Sequence, residues 1–272
     1  MGIRGLYSSL KQYSIPIQPE EEDPLNIGID TYALFYRFKE NFKELFRFVD
    51  SLCVNKHTPI FVLDGVPPPE KQQELAARKQ QRKEAQQQAE SLRSFLQETN
   101  PDELSESSRR VIERKIQEYE NECWTVYRAL RERFVEEATQ KGFEVRLSKG
   151  EADEDLLRMA LSNEIQIVLA NDMDYFVGGV ERLWMFTKDL PAVREFQRHP
   201  ISKTLGIHPT AWRDIALLAG YEKAPNLRKM PASHAISLLH VYGSLETLYE
   251  KRKDLFTGTS LEEYEQARRF FE

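Results

Sequence analysis

An α/β fold is predicted, a mainly parallel sheet flanked by helices and carrying a long helical insertion, and three observations predict it. Short apolar, β-branched runs end on aspartate at Asp30, Asp64 and Asp172, the pattern of buried strands. Helix-periodic segments lie between them. Residues 70–141 hold no glycine and one proline, Pro101, and are rich in Gln, Glu, Lys and Arg, the composition of long solvated helices. At 272 residues and 40% hydrophobic, the chain can bury a core of this size.

Taken in order, MGIRGLYSSLKQY opens the chain with no targeting signature after it, and a polar, acidic link, Gln18 to Asp23, follows. Leu25 to Asp30 reads as a strand. Tyr32 to Lys56 carries Leu34, Phe35, Phe38, Phe42, Leu45, Phe46, Val49 and Leu52 at three- and four-residue spacing, an amphipathic helix with one break. Thr58 to Asp64 is a second strand, stopped by Val66-Pro-Pro-Pro69. Two helical arms follow, about 71–98 and 103–140, joined near Thr99 to Glu103. The first has few apolar positions and starts basic, with Lys71, Arg78, Lys79, Arg82 and Lys83 against Glu74. Lys71 and Arg78, seven apart, share a helix face.

Phe143 to Leu147 is the next strand. Glu151, Asp153, Glu154 and Asp155 then open a helix that runs to Ser162. Ile165 to Ala170 is a strand that closes on the D-x-D pair Asp172 and Asp174, and Arg182 to Phe186 is one more. The remainder reads as helical: Pro209 to Leu218, Pro231 to His240, Leu245 to Phe256 and Leu261 to Phe271.

Composition narrows the function classes. No apolar run is long enough to span a membrane and no signal-peptide pattern is present, so a soluble intracellular protein is expected. Cys53 and Cys123 are far apart and suit neither a disulfide framework nor a zinc site. The net charge of −6 argues against a surface coated for nucleic acid, while leaving room for an acidic metal centre beside local basic patches. Walker A, dinucleotide and Ser or Cys nucleophile motifs are all missing from the sequence.

One aspartate after a strand is an ordinary turn residue, and acids in a first helical turn suit the helix dipole. Three strand-end aspartates, with four carboxylates in five residues at 151–155, exceed both explanations. If the strands are parallel neighbours, Asp30, Asp64, Glu151, Asp153, Asp172 and Asp174 converge, and six carboxylates cannot all stay ionised without cations. With no Cys or His beside them, Mg²⁺ is the expected ion and Mn²⁺ a substitute. Two such ions about 4 Å apart suit phosphodiester cleavage, with Lys71 and Arg78 neutralising the phosphate.

MGIRGL, IGIDTYALFY, FVLDGVPPPEKQQELAARK, GEADEDL and LANDMDYF, in that order, resemble the flap endonuclease and XPG-type family of structure-specific 5′ nucleases. The resemblance spans nearly the whole chain. It implies a PIN-like fold with a helical arch over the active site and a C-terminal helical region that binds duplex. It divides a single 5′-nuclease domain, 1–272, into an N-terminal nuclease region (1–70), the arch (71–141), an internal nuclease region (142–190) and a helical C-terminal part with a degenerate helix–two-turn–helix (191–272).

Residue by residue, the resemblance implies that Asp30, Asp64, Glu151, Asp153, Asp172 and Asp174 are metal ligands. It makes Lys71, Arg78 and Asp172 catalytic. Gly2, Tyr36, Lys71, Arg78, Lys79, Arg82, Lys83, Arg228 and Lys229 become nucleic-acid contacts, Tyr36 as a base-stacking aromatic whose plainer reading is a helix-face tyrosine. Two departures stand out. The family's last metal carboxylate lies in Gly-Ser-Asp-Tyr, where this chain has Gly220-Tyr-Glu222-Lys223, so Glu222 is the nearest candidate. The family's phosphate-binding Gly-Ile-Gly-Pro aligns with Lys229-Met-Pro-Ala232, without its glycines. Gln266 to Phe271 is read as a terminal amphipathic helix rather than a sliding-clamp motif.

The expected function is therefore a Mg²⁺-dependent flap endonuclease and 5′→3′ exonuclease. It is expected to act as a monomer on DNA with a 5′ flap or 5′ end, with RNA as an alternative substrate, in a nucleus, virus or organelle. The alternative is an interaction module of the Asteroid type, which shares a start like MGIRGL. A D-x-D phosphatase fits poorly, because Tyr175 stands where such enzymes need threonine.

Overall fold

The structure, a computed structural model, describes residues 3–17, 24–53, 56–100, 104–187, 193–221, 223–224 and 227–271. The link Gln18–Asp23, Gly2 and Glu222 lie outside the described residues. Seven strands among the described residues make one sheet in the order β1-β7-β6-β5-β2-β3-β4. They are β1 Ile15–Pro16, β2 Asn26–Asp30, β3 Thr58–Leu63, β4 Glu144–Leu147, β5 Ile167–Ala170, β6 Arg182–Phe186 and β7 Val193–Gln197. The β2–β3, β2–β5, β3–β4 and β5–β6 pairs are parallel; β6–β7 and β1–β7 are antiparallel. The sheet is mainly parallel, as expected.

Side chains alternate between the sheet's two faces, so each strand feeds two cores. Ile60, Val62, Val168, Ala170, Leu183 and Met185 point to one, and Phe61, Leu63, Ile167, Leu169, Trp184 and Phe186 to the other. The second face is covered by α2 Thr31–Phe38, α3 Phe42–Leu52 and, after the insertion, α6 Arg128–Gln140. Phe134 on α6 meets Phe35, Phe42, Phe46 and Phe61 at centroid distances of 5.0, 5.4, 5.7 and 5.2 Å. The first face is covered by α1 Leu6–Leu10, α7 Ala152–Leu161, α8 Asp174–Gly178 and the helices after Gln197. Gly28 lets α7 close on β2, since a Cβ there would lie 2.3 Å from Ile165 Cδ1 and 2.6 Å from Leu156 Cδ2.

One expectation about elements is met and located, and two are corrected. The break in the 32–56 helix falls at Lys39, which takes φ 52°, and α3 restarts under an Asn41 cap that accepts from the Glu44 N–H. The second arm is two helices: α5 Glu106–Cys123 and α6 are separated by Trp124–Tyr127, an aromatic and β-branched run that favours extended backbone. The chain after Phe186 also contains a strand, β7. In it Glu195 is buried in an ion pair with Arg182, and Arg194 Nε donates to Ser14 Oγ at 2.6 Å. The first arm is one helix, α4 Gln72–Glu98, packed along α5 through Ala85, Ala89 and Ile116.

The C-terminal helices are α9 Arg198–Leu205, α10 Ala211–Ala219, α11 Ala232–Tyr242, α12 Leu245–Lys251 and α13 Leu261–Ala267. The last two are shorter than expected and end in 3₁₀ turns, Lys253–Phe256 and Arg268–Phe271. Arg268 grips the buried Asp214 of α10 with Nε and Nη2 at 2.6 and 2.8 Å and reaches Glu246 at 2.6 Å.

Strand order reverses between β5 and β2: the chain moves from β2 to β3 and β4 on one side, then returns to place β5 on the other. In an open α/β sheet the crevice at such a switch point, beyond the strands' carboxyl ends, is where ligands bind. Asp30 ends β2, Asp64 follows β3 and Asp172 follows β5.

Candidate active site

Each of these carboxylates is oriented by a backbone donor. Asp30 caps α2, its Oδ1 accepting from the Tyr32 and Ala33 N–H groups at 3.0 and 3.3 Å. Asp64 Oδ1 accepts from the Ala152 N–H at 2.8 Å, which ties the β3 loop to the start of α7. The same two loops lock together where Gly65 N–H donates to Gly150 O at 2.7 Å. A Cβ at Gly65 would lie 2.0 Å from Ser148 O, so only glycine permits this approach. Asp172 Oδ1 accepts from the Asp174 N–H at 3.0 Å, and Asp174 begins α8.

The acidic run at 151–155 divides. Glu151 Oε1 meets Lys71 Nζ at 2.6 Å, while Asp155 turns to Arg158 at 2.8 Å. Asp153 points with Asp30 and Asp64 toward one region, since its charge raises both of their carboxyl pKa values.

Burial pushes the Asp30 carboxyl up to about 7, against the pull of its backbone donors and helped by the charges of Asp64 and Asp153. Burial also raises Asp64; the Ala152 N–H, Arg131 and Lys71 draw it back and Asp153 adds to it. Glu151 is raised by burial, with Lys71 opposing. For Lys71, burial alone would lower the ammonium, but Glu151, Asp153 and Glu74 lift it above its ordinary value. Burial first, and then the charges of neighbouring carboxylates, thus press Asp30 and Asp64 toward neutrality.

Tyr175 was missed as a site residue. Its hydroxyl is buried and finds no hydrogen-bond partner among the described residues. Burial, followed by the charges of Asp30, Asp153, Asp172 and Asp64, holds the phenol well above its ordinary range. Its place directly after the D-x-D pair is the signal that could have found it.

A divalent cation fits this donor set: the acids are all hard oxygen ligands, their mutual repulsion wants a counter-charge, and the buried phenol beside them has no acceptor among the described residues. Among the described residues, no three acid, His or Cys side chains close to coordination geometry. Glu151 is turned to Lys71, and Asp64 and Asp172 each spend one oxygen on a backbone N–H.

The basic residues of the arm separate by role. Lys71 stands at the carboxylates; Arg78 pairs with Glu74 one turn back on α4. Lys79 and Lys83 are exposed, and Arg82 Nη1 donates to Thr125 Oγ1 at 3.2 Å. Tyr36, 54% exposed, meets Trp124 edge-on at 5.3 Å. Lys39 Nζ donates to Asn121 Oδ1 at 2.6 Å, so the foot of the insertion rests on α2 and the turn that follows it. A second cation that sequence reading missed, Arg131, reaches Asp64 from α6. One arginine in the charged run Arg128-Ala-Leu-Arg-Glu-Arg133 carries no signal that marks it.

In the C-terminal part, Arg228 and Lys229 are exposed between α10 and α11. The Lys229 stem covers Gly220: a Cβ there would meet Lys229 Cδ at 2.8 Å. Met230 N–H donates to Leu218 O and Tyr264 Oη to Arg228 O, at 2.8 and 3.0 Å. Phe271 stacks on Tyr221 with centroids 4.6 Å apart.

Residues 1–85 match the XPG N-terminal domain. The chain is 27% identical over 220 residues to Flap endonuclease 1-B of Physcomitrium patens, covering 78% of this chain and 58% of that protein. It is 25% identical over 219 residues to Flap endonuclease 1 of Glycine max, covering 78% and 53%. It thus spans little more than half the length of these curated relatives. Its fold is similar to that of the catalytic core of Rad2 in complex with DNA substrate (TM-score 0.62, 17% identity, 99% of this chain and 79% of the other). It is likewise similar to flap endonuclease-1 from Methanococcus jannaschii (TM-score 0.60, 16% identity, 95% and 81%). No helix among the described residues is long and apolar enough to cross a membrane.

Proposed function

We propose that the chain is a member of the XPG and flap-endonuclease family of 5′ nucleases, as its similarities support, and that it hydrolyses phosphodiester bonds in DNA with a 5′ flap or branched 5′ end. Exonuclease action on 5′ ends belongs to the same reading. One observation carries it: Asp30, Asp64 and Asp172 stand at the carboxyl ends of neighbouring parallel strands, beside the switch point of the sheet.

Asp30, Asp64, Glu151, Asp153, Asp172 and Asp174 would hold Mg²⁺, or Mn²⁺ in its place, with Glu222 as the nearest further ligand; a solved GEN1 complex contains product DNA and Mg²⁺. Two ions bound there supply Lewis-acid charge for hydrolysis of a phosphodiester. The chain's own residues do the rest. Lys71, already at the carboxylates, exchanges Glu151 for a substrate phosphate, and Arg78 joins it from one helix face. Tyr36 offers its exposed ring to a base. Lys79, Arg82 and Lys83 line the arm along which a single strand passes, and Gly2 is a further substrate contact in this reading.

The domain reading follows: nuclease regions 1–70 and 142–190, an arch at 71–141, and a duplex-binding part at 191–272. There Arg228 and Lys229 meet phosphate by charge, in place of a glycine hairpin. The protein works as a monomer in the nucleus, with RNA an alternative substrate. Incubation of a 5′-labelled flap duplex with Mg²⁺ or Mn²⁺ tests this, comparing the protein with Asp172→Asn. Cuts near the junction that vanish in the variant are expected. Binding without cleavage in either metal would overturn the enzyme and leave an interaction module.

A further inference from the structure

We propose that Arg131 is a positioning residue that fixes Asp64 and couples the helical insertion to the carboxylate cluster; its link to catalysis rests on the nuclease reading above. The backbone of α6 is anchored by Leu130 and Phe134, both fully buried against the sheet. Between these anchors Arg131 points to the site, and its Nη2 donates to the main-chain oxygen of Asp64 at 2.6 Å. Its guanidinium carbon lies 5.9 Å from the centroid of the Tyr32 ring, and Tyr32 N–H donates to Asp30. One planar cation therefore braces the loops that carry both Asp30 and Asp64.

The geometry explains why a cation is needed there. The β3–β4 ladder ends where Ser148 N–H takes the Leu63 carbonyl. The next carbonyl, that of the half-buried Asp64, lies past the ladder, and a carbonyl drawn from water without a donor is costly. Arg131 supplies the donor. Asp64 is then held at three points: its carbonyl by Arg131, its carboxylate by Ala152, and the following amide by Gly150 O. Removal of the first leaves the carboxylate hinged on the other two. Lysine cannot replace the fork, because its point charge cannot both donate to the carbonyl and lie over the Tyr32 ring.

The second consequence is coupling. Only Trp124–Tyr127 separates α5 from α6. A shift of the insertion that drags the start of α6 reaches the Asp64 carbonyl through Arg131, with no further intermediary.

The test uses the full chain with Arg131→Gln and Arg131→Lys, and two measurements. The first is hydrogen exchange of the Ala152 amide in EDTA, with Val168 of β5 as the core reference. Positioning predicts exchange at Ala152 faster by about 10-fold in the glutamine variant, with Val168 unchanged and the lysine variant intermediate. The second is Mn²⁺ affinity by calorimetry. Removal of a neighbouring positive charge would by itself tighten a divalent ion, so loss of position is the one effect that weakens it. A loss of about 10-fold is expected. Unchanged exchange at Ala152, equal acceleration at Val168, or tighter Mn²⁺ binding overturns the proposal. Failure of the unaltered protein to bind Mn²⁺ would instead count against the nuclease reading, and the Ala152 exchange would still decide the role of Arg131.

Discussion

Lys71 Nζ lies 2.6 Å from Glu151 Oε1, so the first cation of the helical insertion is held against the first residue of the acidic run that opens α7. Both side chains are mostly withdrawn from water, and each shifts the other's titration. Lys71→Met would leave Glu151 without its partner. A loss of about 1–3 kcal/mol in urea unfolding is expected, together with a fall in flap cleavage of about 100-fold. Stability equal to that of the unaltered protein would show that the pair contributes nothing to the fold.

Asp30 makes the stability of the metal-free protein depend on pH. Its folded carboxyl is pushed up to about 7 by burial, whereas an unfolded aspartate titrates near about 3.9. Below that lower value both states are protonated and the shift has no effect. As pH rises from about 4 to about 7 the unfolded chain ionises first, so folding loses up to roughly 4 kcal/mol and the penalty then stays constant. Asp64 and Glu151, also raised, act in the same direction. Thermal melting in EDTA is expected to fall across this window, and Asp30→Asn to flatten the fall while abolishing cleavage. A melting temperature that climbs from pH 4 to 7 in the unaltered protein would contradict the assignment.

Gly65 carries a steric prediction. Gly65→Ala drives a methyl group to 2.0 Å from a main-chain oxygen, which cannot rotate away as a side-chain end could. The β3 and β4 loops must part, taking Asp64 from Ala152. Destabilisation of about 1–3 kcal/mol is expected, with a larger proportional loss of cleavage than at Gly142, where a Cβ meets nothing within 4 Å and the φ of 82° brings backbone strain alone. Equal effects at the two glycines would show that the loop contact does not set the site.

How much of this was legible follows from the kind of signal each residue carries. Asp30, Asp64 and Asp172 could be placed because each ends an apolar run, and strand ends are where a parallel sheet gathers its polar residues. The acidic run at 151–155 could be seen but not sorted, since a helix turn sends neighbouring side chains in different directions and only the structure turns Asp155 to Arg158. β7 stayed hidden because Glu195 is neutralised by Arg182 and Arg194 is hydrogen-bonded to Ser14, partners outside the strand that local pattern cannot foresee. Trp124 to Tyr127 broke a helix that its charged neighbours would have continued. Tyr175 and Arg131 act through tertiary position alone.

The segment between α10 and α11 offers the last prediction. Where the family carries a glycine hairpin, this chain has Lys229-Met-Pro-Ala232, and the Lys229 stem lies over Gly220. Its backbone is occupied locally, with Met230 N–H on Leu218 O and Arg228 O accepting from Tyr264. Backbone amides there are poorly placed to cradle phosphate, and the exposed side chains of Arg228 and Lys229 remain to bind it by charge. Charge binding releases counterions, about 0.9 in the log–log salt slope for each phosphate neutralised on duplex DNA. The double variant Arg228→Ala, Lys229→Ala should therefore lower the slope of duplex-arm binding by about 1.8, and should do so equally for any duplex sequence. Binding isotherms at four salt concentrations measure it. A slope unchanged by the double variant would move the duplex contact elsewhere on the C-terminal helices.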